Sequence, residues 1–247
     1  MRRRIDQLLV ERRIFESRAL ARSAIEAGLV KVDGVVIDKA SRSVEAHARL
    51  EADRPFETVS RAGLKLKAAL EHSGLDPRGL VCLDLGASTG GFSDLLLQHG
   101  ALRVYAVDVG HGQLHKRLRG HPGIVNLEGL DARAITRSQV PEPIDLVVAD
   151  LSFIGLVKAL PPGLACLKPG GTLIALIKPQ FEAGPNAGKR GIIRDEALHA
   201  EILARVTSEV AMLGITGIET LGSPIEGGDG NREFLLIGRK GPEQPAP

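Results

Sequence analysis

The chain has 247 residues, of which 43% are hydrophobic and 25% charged, and this composition is typical of a soluble globular protein with a sizeable core. Its formal net charge of +2 is too small to indicate a nucleic-acid partner, so any such prediction depends on local patches. No apolar run approaches the roughly 18 residues of a membrane span, and charges interrupt the basic N-terminus too early for a secretion signal, so we expect a cytoplasmic protein.

Residues 1 to 57 form a small α+β unit in this interpretation. Two short helical patterns come first, and Ser17 can cap the second, which ends at Gly28. An alternating stretch around Asp33 and Gly34 then predicts a two-residue hairpin. The unit contains many basic residues, but interspersed acidic residues also allow an ordinary solvated surface.

The run RIDQLLVERRIFESRALARSAIEAGLVKVDGVVIDK resembles an S4 RNA-binding domain. It carries the usual R-hydrophobic-D-x-x-L, S-R-x-x-A and I-x-x-G-x-V-x-V-D-G segments, followed by a lysine. The resemblance implies phosphate contacts from Arg4, Arg18, Arg22 and Lys39. The unit has no tyrosine or tryptophan, so recognition should depend on RNA shape and backbone charge.

A short polar segment, 53–57, is the predicted domain boundary because its proline ends the preceding strand pattern. Ser60 can cap the following helix, with Leu64, Ala68 and Leu70 directed inward. Lys65 and Lys67 cannot both share that face. Because a lysine on a helix is most often solvated, position alone does not indicate a functional role for either of them.

The stretch 80–101, LVCLDLGASTGGFSDLLLQHGA, predicts a buried strand, a glycine-rich turn and a helix. The turn departs from G-x-G-x-x-G, which disfavours a nicotinamide dinucleotide. The next strand ends in Asp108, about where an acidic side chain holds a ribose diol in such folds. An adenosine-containing ligand without phosphates fits both features, although any tight strand-to-helix connection can be glycine-rich.

Strands and helices alternate from this turn to residue 240, which predicts a doubly wound, mostly parallel α/β sheet. Ligands of such sheets bind outside the carboxyl ends of the strands. Four aspartates and a lysine fall at or just beyond predicted strand ends, namely Asp84, Asp108, Asp131, Asp150 and Lys178.

Asp150 and Lys178 end two apolar strands that follow one another in the chain. An unpaired buried charge is costly, so each is partnered or lies at a cleft. If the strands are neighbours, the carboxylate and the ammonium face each other. A purely structural ion pair is the alternative.

Two glycine-rich loops complete the predicted edge. The first, 180–195, contains Lys189 and Arg190 as candidate RNA contacts. The second precedes the last strand and brings Glu233 to the same edge only if that strand is antiparallel. Residues 241–247 are interpreted as a disordered tail.

Residues 58–240 resemble the FtsJ-like class of S-adenosylmethionine-dependent RNA ribose methyltransferases, and with the S4 module the whole chain is similar to the TlyA family, often labelled haemolysin. The resemblance rests on the segments SRAGLKL, CLDLGASTGGFSDLLLQHGA, VYAVDVG, VVADLSFI, LIKPQFE and GNREFLL. It implies a catalytic tetrad of Lys65, Asp150, Lys178 and Glu233. Lys65 takes precedence over Lys67 because it stands in the S-R-x-x-x-K-L arrangement.

Ribose methylation requires that the hydroxyl be aligned and its proton removed. Lys178 is the expected general base or hydroxyl orienter. Burial and Lys65 favour its neutral form, whereas Asp150 favours the charged form, so we expect Asp150 mainly to orient Lys178. Glu233 would fix the position of one lysine.

The resemblance also implies S-adenosylmethionine as cofactor and a cytidine 2′-hydroxyl of 16S or 23S ribosomal RNA as target. The implied cofactor contacts are Gly86, Ala87, Ser88, Gly90, Phe92, Asp108 and Asp131. No metal is expected, since Cys82 and Cys166 lie in apolar runs and no histidine and cysteine cluster is present. We expect a monomer.

Two alternatives remain open at this point. A haemolysin-like membrane-active protein would agree with the family label, but the chain has neither a spanning segment nor a long cationic amphipathic helix. A non-catalytic RNA-binding factor of ribosome assembly would have the same fold but would not transfer methyl groups.

Overall fold

A computed structural model describes residues 1–184, 191–227 and 230–242. The chain divides into two compact units, Met1–Ser60 and Arg61–Pro247. Lys189, Arg190 and residues 243–247 of the predicted tail lie outside the described residues. Within the part that is described, no helix is long and apolar enough to cross a bilayer.

The first unit is a small α+β structure. Its elements in chain order are β1 (Arg2–Arg4), α1 (Ile5–Glu11), α2 (Arg18–Glu26), β2 (Val30–Val32), β3 (Val35–Val36), β4 (Ser43–Glu45) and β5 (Leu50–Ala52). Its strands pair antiparallel, β1 with β4, and β2 with both β3 and β5. The two helices enclose a core that includes Ile5, Leu9, Phe15 and Ile25.

The predicted turn and cap of this unit are confirmed. Asp33 and Gly34 have φ angles of 51° and 82°, the positive values that a tight hairpin between β2 and β3 requires. The Leu20 backbone N–H donates to Ser17 Oγ at 3.2 Å, which satisfies one free amide at the start of α2.

The second unit is a layered α/β structure. Its strands are β6 (Val81–Leu85), β7 (Arg103–Asp108), β8 (Ile124–Glu128), β9 (Ile144–Ala149), β10 (Leu167–Ile177), β11 (Ile215–Gly222) and β12 (Phe234–Lys240). Its helices are α3 (Ala62–Ser73), α4 (Gly91–Gln98), α5 (Leu156–Cys166), α6 (Pro179–Glu182) and α7 (Glu196–Met212). The register of β10 against β9 contains an irregularity between Leu167 and Thr172.

In the described part of the chain these strands form one seven-stranded sheet in the order β11-β12-β10-β9-β6-β7-β8. The ladders from β10 to β8 are parallel, whereas β12 is antiparallel to β10 and to β11. The doubly wound fold is therefore confirmed. The strand order reverses between β6 and β9, and ligands of such sheets bind in the crevice at that point. Separate apolar clusters, one around Leu83 and Val147 and one around Leu66 and Leu96, cover the sheet.

The predicted face of α3 was partly wrong. Leu64 and Ala68 are only half-buried, whereas Lys65, Leu66 and Leu70 are buried. The helix begins after Arg61 without a side-chain cap, so Ser60 does not cap it. The apolar pattern could not reveal this orientation because a lysine occupies one of the inward positions.

Candidate active site

The glycine turn connects β6 to α4 at the switch point of the sheet. Gly86 has a φ of 83°, and a Cβ atom there would lie 2.7 Å from the backbone oxygen of Asp150. Any side chain would therefore collide with the end of β9. This glycine permits the close approach of the two strand ends that border the crevice.

Asp108, at the end of β7, holds the glycine turn from the other side. Its Oδ2 accepts a hydrogen bond from Ser88 N at 2.8 Å, and its Oδ1 accepts one from Gly110 N at 2.7 Å. The carboxylate is fixed by two amides and is half-exposed at the crevice. Each oxygen keeps a second lone pair, so the group can still accept from a ligand hydroxyl.

A cavity of about 940 Å³ opens at this edge. Gly86, Ser88, Asp108 and Asp131 of the predicted cofactor contacts line it, together with Asp150 of the predicted tetrad. The volume lies within the range of ligand pockets. Its glycine floor and its acidic residue at the end of β7 match what an adenosine ligand without phosphates needs, so the residues present fit S-adenosylmethionine.

Three other predicted cofactor contacts, Ala87, Gly90 and Phe92, are not among the residues that line the cavity. Phe92 is 3% exposed and packs in the apolar cluster with Leu96. A Cβ atom at Gly90, where φ is 92°, would overlap the side chains of Leu114 and Leu118. Phe92 and Gly90 therefore have packing roles, since Phe92 lies in an apolar cluster and Leu114 and Leu118 occupy the space beside Gly90. Ala87 is buried.

Asp131 lies in the cavity wall but already has partners. Its side chain accepts from Arg133 N at 2.8 Å, and Arg133 Nη2 lies 2.6 Å from its Oδ2. Hydrogen bonding to Arg133 lowers the pKa of Asp131 to about 2. Asp131 is therefore an ionised carboxylate at neutral pH. A ligand that binds it would do so next to the guanidinium of Arg133.

Four charged side chains meet next to the cavity. Lys178 Nζ lies 2.5 Å from Asp150 Oδ1, Lys65 Nζ lies 3.8 Å from Asp150 Oδ2, and Lys65 Nζ lies 2.5 Å from Glu233 Oε2. The charges alternate in the order Glu233, Lys65, Asp150, Lys178. The side chains of all four are at most 15% exposed.

The topology explains why residues so distant in sequence meet. Asp150 and Lys178 follow the parallel neighbours β9 and β10, so both lie at the same edge. Glu233 immediately precedes β12, whose antiparallel direction brings its start to that edge. Lys65 comes from the first turn of α3. With two cations and two carboxylates, no member is left as an isolated buried charge.

Ser152 is a site residue that the sequence reasoning missed. Lys178 Nζ donates to Ser152 Oγ at 3.0 Å, and Ser152 also lines the cavity. The neighbouring Phe153 is 92% exposed, has a φ of 65°, and packs against Phe181 with ring centroids 5.1 Å apart. The available sequence signal was a serine followed by a phenylalanine just after the apolar run that ends in Asp150.

Asp84 is fully buried beneath the glycine turn. Its Oδ2 accepts from Ser93 N at 3.1 Å and from Ser93 Oγ at 2.7 Å. Burial raises the pKa of Asp84 to about 7, although the hydrogen bonds from Ser93 oppose the shift. This aspartate precedes the end of β6 and, unlike Asp108 and Asp150, does not line the cavity.

The predicted RNA contacts of the first unit fall into two groups. Arg22 and Lys39 are exposed. Arg4 and Arg18 instead bind the buried Asp6, with Arg4 Nε 3.0 Å from Oδ1 and Arg18 Nη2 2.8 Å from Oδ2. Hydrogen bonding to Arg4 lowers the pKa of Asp6 to about 2. Both guanidinium groups remain about half-exposed, so they can contact a phosphate while paired.

The described residues contain no group of three histidine, cysteine, aspartate or glutamate side chains arranged to hold a metal ion. Cys82 and Cys166 are buried free thiols.

Family profiles match both parts of the chain. Residues 58–240 match the FtsJ-like methyltransferase profile, and residues 3–50 match the S4 domain profile.

Full-length relatives agree with these matches. The chain is 40% identical to the 16S/23S rRNA (cytidine-2'-O)-methyltransferase TlyA of Mycobacterium tuberculosis, over 95% of this chain and 89% of that protein. It is 38% identical to Hemolysin A of Brachyspira hyodysenteriae, over 94% of this chain and 98% of that protein. A solved structure of a candidate hemolysin from Streptococcus thermophilus superposes with a TM-score of 0.76 at 36% identity, covering 97% of this chain and 89% of that chain.

Proposed function

Because the chain belongs to the TlyA family of FtsJ-like methyltransferases with an S4 domain, we propose that it transfers a methyl group from S-adenosylmethionine to a ribose 2′-hydroxyl of ribosomal RNA. The target class, a cytidine of 16S or 23S rRNA, follows the relatives whose names state it. The observation that carries the proposal is the alternating row of Glu233, Lys65, Asp150 and Lys178 beside the cavity.

S-adenosylmethionine fits the cavity at the switch point. Asp108 would bind the ribose hydroxyls, the backbone around Gly86 and Ser88 would bind the methionine side, and Asp131 would lie towards the adenine. When bound, the cofactor supplies a methyl group on a positively charged sulfur. The protein supplies alignment and proton removal, since a ribose hydroxyl is a weak nucleophile.

Lys178 is the residue proposed to act on the hydroxyl. Its Nζ contacts Asp150 and Ser152, which both line the cavity, and as the neutral amine it would accept the 2′-hydroxyl proton as the oxygen is methylated. Asp150 on one side and Ser152 on the other fix the direction of Nζ. Lys65 lies near the second oxygen of Asp150, so the negative charge of that carboxylate is shared between two lysines.

The remaining tetrad members hold this arrangement in place. Glu233 fixes Lys65, and Lys65 in turn fixes Asp150. In the first unit, the exposed basic residues Arg22 and Lys39 and the paired Arg4 and Arg18 would bind RNA phosphates. Lys189 and Arg190 remain proposed RNA contacts from sequence alone.

Incubation with labelled S-adenosylmethionine and unmodified 30S and 50S subunits tests the proposal. We expect label in one or both subunits, and nucleoside analysis should place it on the ribose of a cytidine. Label on a base, or none on either subunit or on protein-free rRNA, would refute the assignment. Leakage of liposomes at low protein concentration without cofactor would instead support a membrane-active protein.

A further inference from the structure

The connection between β7 and β8 is strongly basic. It carries Lys116, Arg117 and Arg119 together with three histidines, and no acidic residue occurs from position 109 to position 127. The chain as a whole has a net charge of only +2. Positive charge is therefore concentrated in a segment that begins directly after Asp108, at the cofactor edge of the sheet.

This segment is anchored to the unit rather than projecting from it. Leu114 and Leu118 are 1% and 2% exposed and cover Gly90 of the glycine turn. Glu128 Oε1 accepts hydrogen bonds from Gln113 N at 2.5 Å and from Leu114 N at 2.9 Å. The same turn that borders the cofactor cavity thus holds the basic segment in position.

The cations of the segment differ in how far they are neutralised. Arg117 is paired with the carboxylate of Asp94. Among the described residues, no carboxylate lies within ion-pair distance of Lys116 or Arg119, and both are exposed. Arg119 donates from Nε to Leu114 O at 2.6 Å and from Nη2 to Gly112 O. Those carbonyls do not neutralise the guanidinium, so it can still attract an anion. Because they also hold it in one position, little side-chain entropy is lost when it binds the anion.

We propose that segment 110–123 is an RNA-binding surface of the catalytic unit and that Lys116 and Arg119 bind phosphates of the substrate RNA beside its target nucleotide. Gln113 of the segment lines the cavity, so the basic surface is continuous with the site. The segment has no phenylalanine, tyrosine or tryptophan, which favours contacts with the backbone rather than stacking with bases. This inference rests on the proposed RNA substrate.

Salt-dependent binding to protein-free 16S and 23S rRNA tests the surface. Each lost phosphate contact should lower the slope of log Kd against log[KCl] by about 1. For the full chain with Lys116→Gln and Arg119→Gln we therefore expect a slope lower by about 2 and a Kd roughly tenfold higher at physiological salt. The matched control is Lys67→Gln with Arg78→Gln, two exposed cations elsewhere in the same unit, and it should behave like the wild type.

The single variant Lys116→Glu separates loss of a phosphate contact from loss of local structure, because Lys116 is exposed and its side chain is not needed to hold the loop. This variant should also raise the Kd for rRNA. Affinity for S-adenosylmethionine should stay unchanged in all variants. An unchanged salt slope in the double variant would contradict the proposed RNA-binding surface. An equally large decrease of the slope in the control pair would contradict it as well. If the double variant has the lower slope but wild-type protein transfers no methyl group, the proposed function fails while the surface stands. If wild-type protein transfers the methyl group but the double variant has an unchanged slope, the surface alone is refuted.

Discussion

Lys65 and Glu233 are 168 positions apart in the chain, yet Lys65 Nζ donates to Glu233 Oε2 at 2.5 Å in a buried site. The contact joins the first turn of α3 to the start of β12. It exists only when the helix and the antiparallel strand are both in place, so the proposed catalytic arrangement depends on the completed fold.

Glu233→Ala should therefore affect both stability and activity. It leaves Lys65 buried with only the more distant Asp150, and breaking a buried pair costs about 3 to 5 kcal/mol. We expect a loss of this size in the free energy of unfolding, whereas Glu233→Gln, which keeps a hydrogen-bond acceptor, should lose less. Tyr105, the only tyrosine in a chain without tryptophan, is buried in the second unit, so its fluorescence during urea denaturation reports on that unit. Equal stability of Glu233→Ala and wild type would contradict the role given to this pair.

Ser152→Ala removes the hydroxyl that accepts from Lys178 Nζ. Loss of one orienting hydrogen bond, about 1 to 1.5 kcal/mol, should lower kcat roughly tenfold. The KM for S-adenosylmethionine should not change. Ser152→Thr keeps the hydroxyl and should recover most of the rate. A Thr variant as slow as the Ala variant would show that Ser152 acts through packing instead.

Asp108→Ala should weaken cofactor binding. The substitution removes a charged acceptor and also the anchor for Ser88 N and Gly110 N. Hydrogen bonds to charged groups contribute about 1.5 to 3 kcal/mol, so the Kd for S-adenosylmethionine in calorimetry should rise by about 10- to 100-fold. Asp131→Ala should have a smaller effect because Arg133 already occupies that carboxylate. A larger effect at Asp131 would reverse the proposed roles.

Asp84 should make the stability of the second unit pH-dependent. Burial raises its pKa to about 7, above its ordinary value of 3.8. A raised folded-state pKa means that its contribution is fully present below about pH 4 and is lost as the pH rises through 7. Between pH 4 and 7, wild type should lose stability relative to Asp84→Asn, as followed by Tyr105 fluorescence in urea. Parallel pH profiles of the two proteins would show that the carboxyl does not titrate there.

Much of the fold followed from local patterns. Apolar runs that end in Asp150 and Lys178 were sufficient to predict two strand ends at one edge, and the parallel pairing of β9 with β10 confirms that they are neighbours. The requirement for Gly86 was also visible, because a glycine turn between strand and helix predicts a close approach.

What the sequence could not give depended on contacts between distant segments. Gly90 is needed because Leu114 and Leu118 cover it, and nothing near Gly90 in the sequence indicates them. The orientation of α3 was misjudged because Lys65 is buried by partners on other elements. The pairing of Arg4 and Arg18 with Asp6 likewise joins two elements through side chains that looked solvated.

The most direct test compares wild type and Lys178→Ala in methyl transfer from labelled S-adenosylmethionine to unmodified ribosomal subunits, with cofactor and RNA affinities measured on the same preparations. Lys168→Ala, a surface lysine at the other end of β10, is the matched control. We predict ribose label with wild type and the control, at least a hundredfold slower transfer with Lys178→Ala, and unchanged affinities for both ligands. Transfer by Lys178→Ala at the wild-type rate would contradict the account.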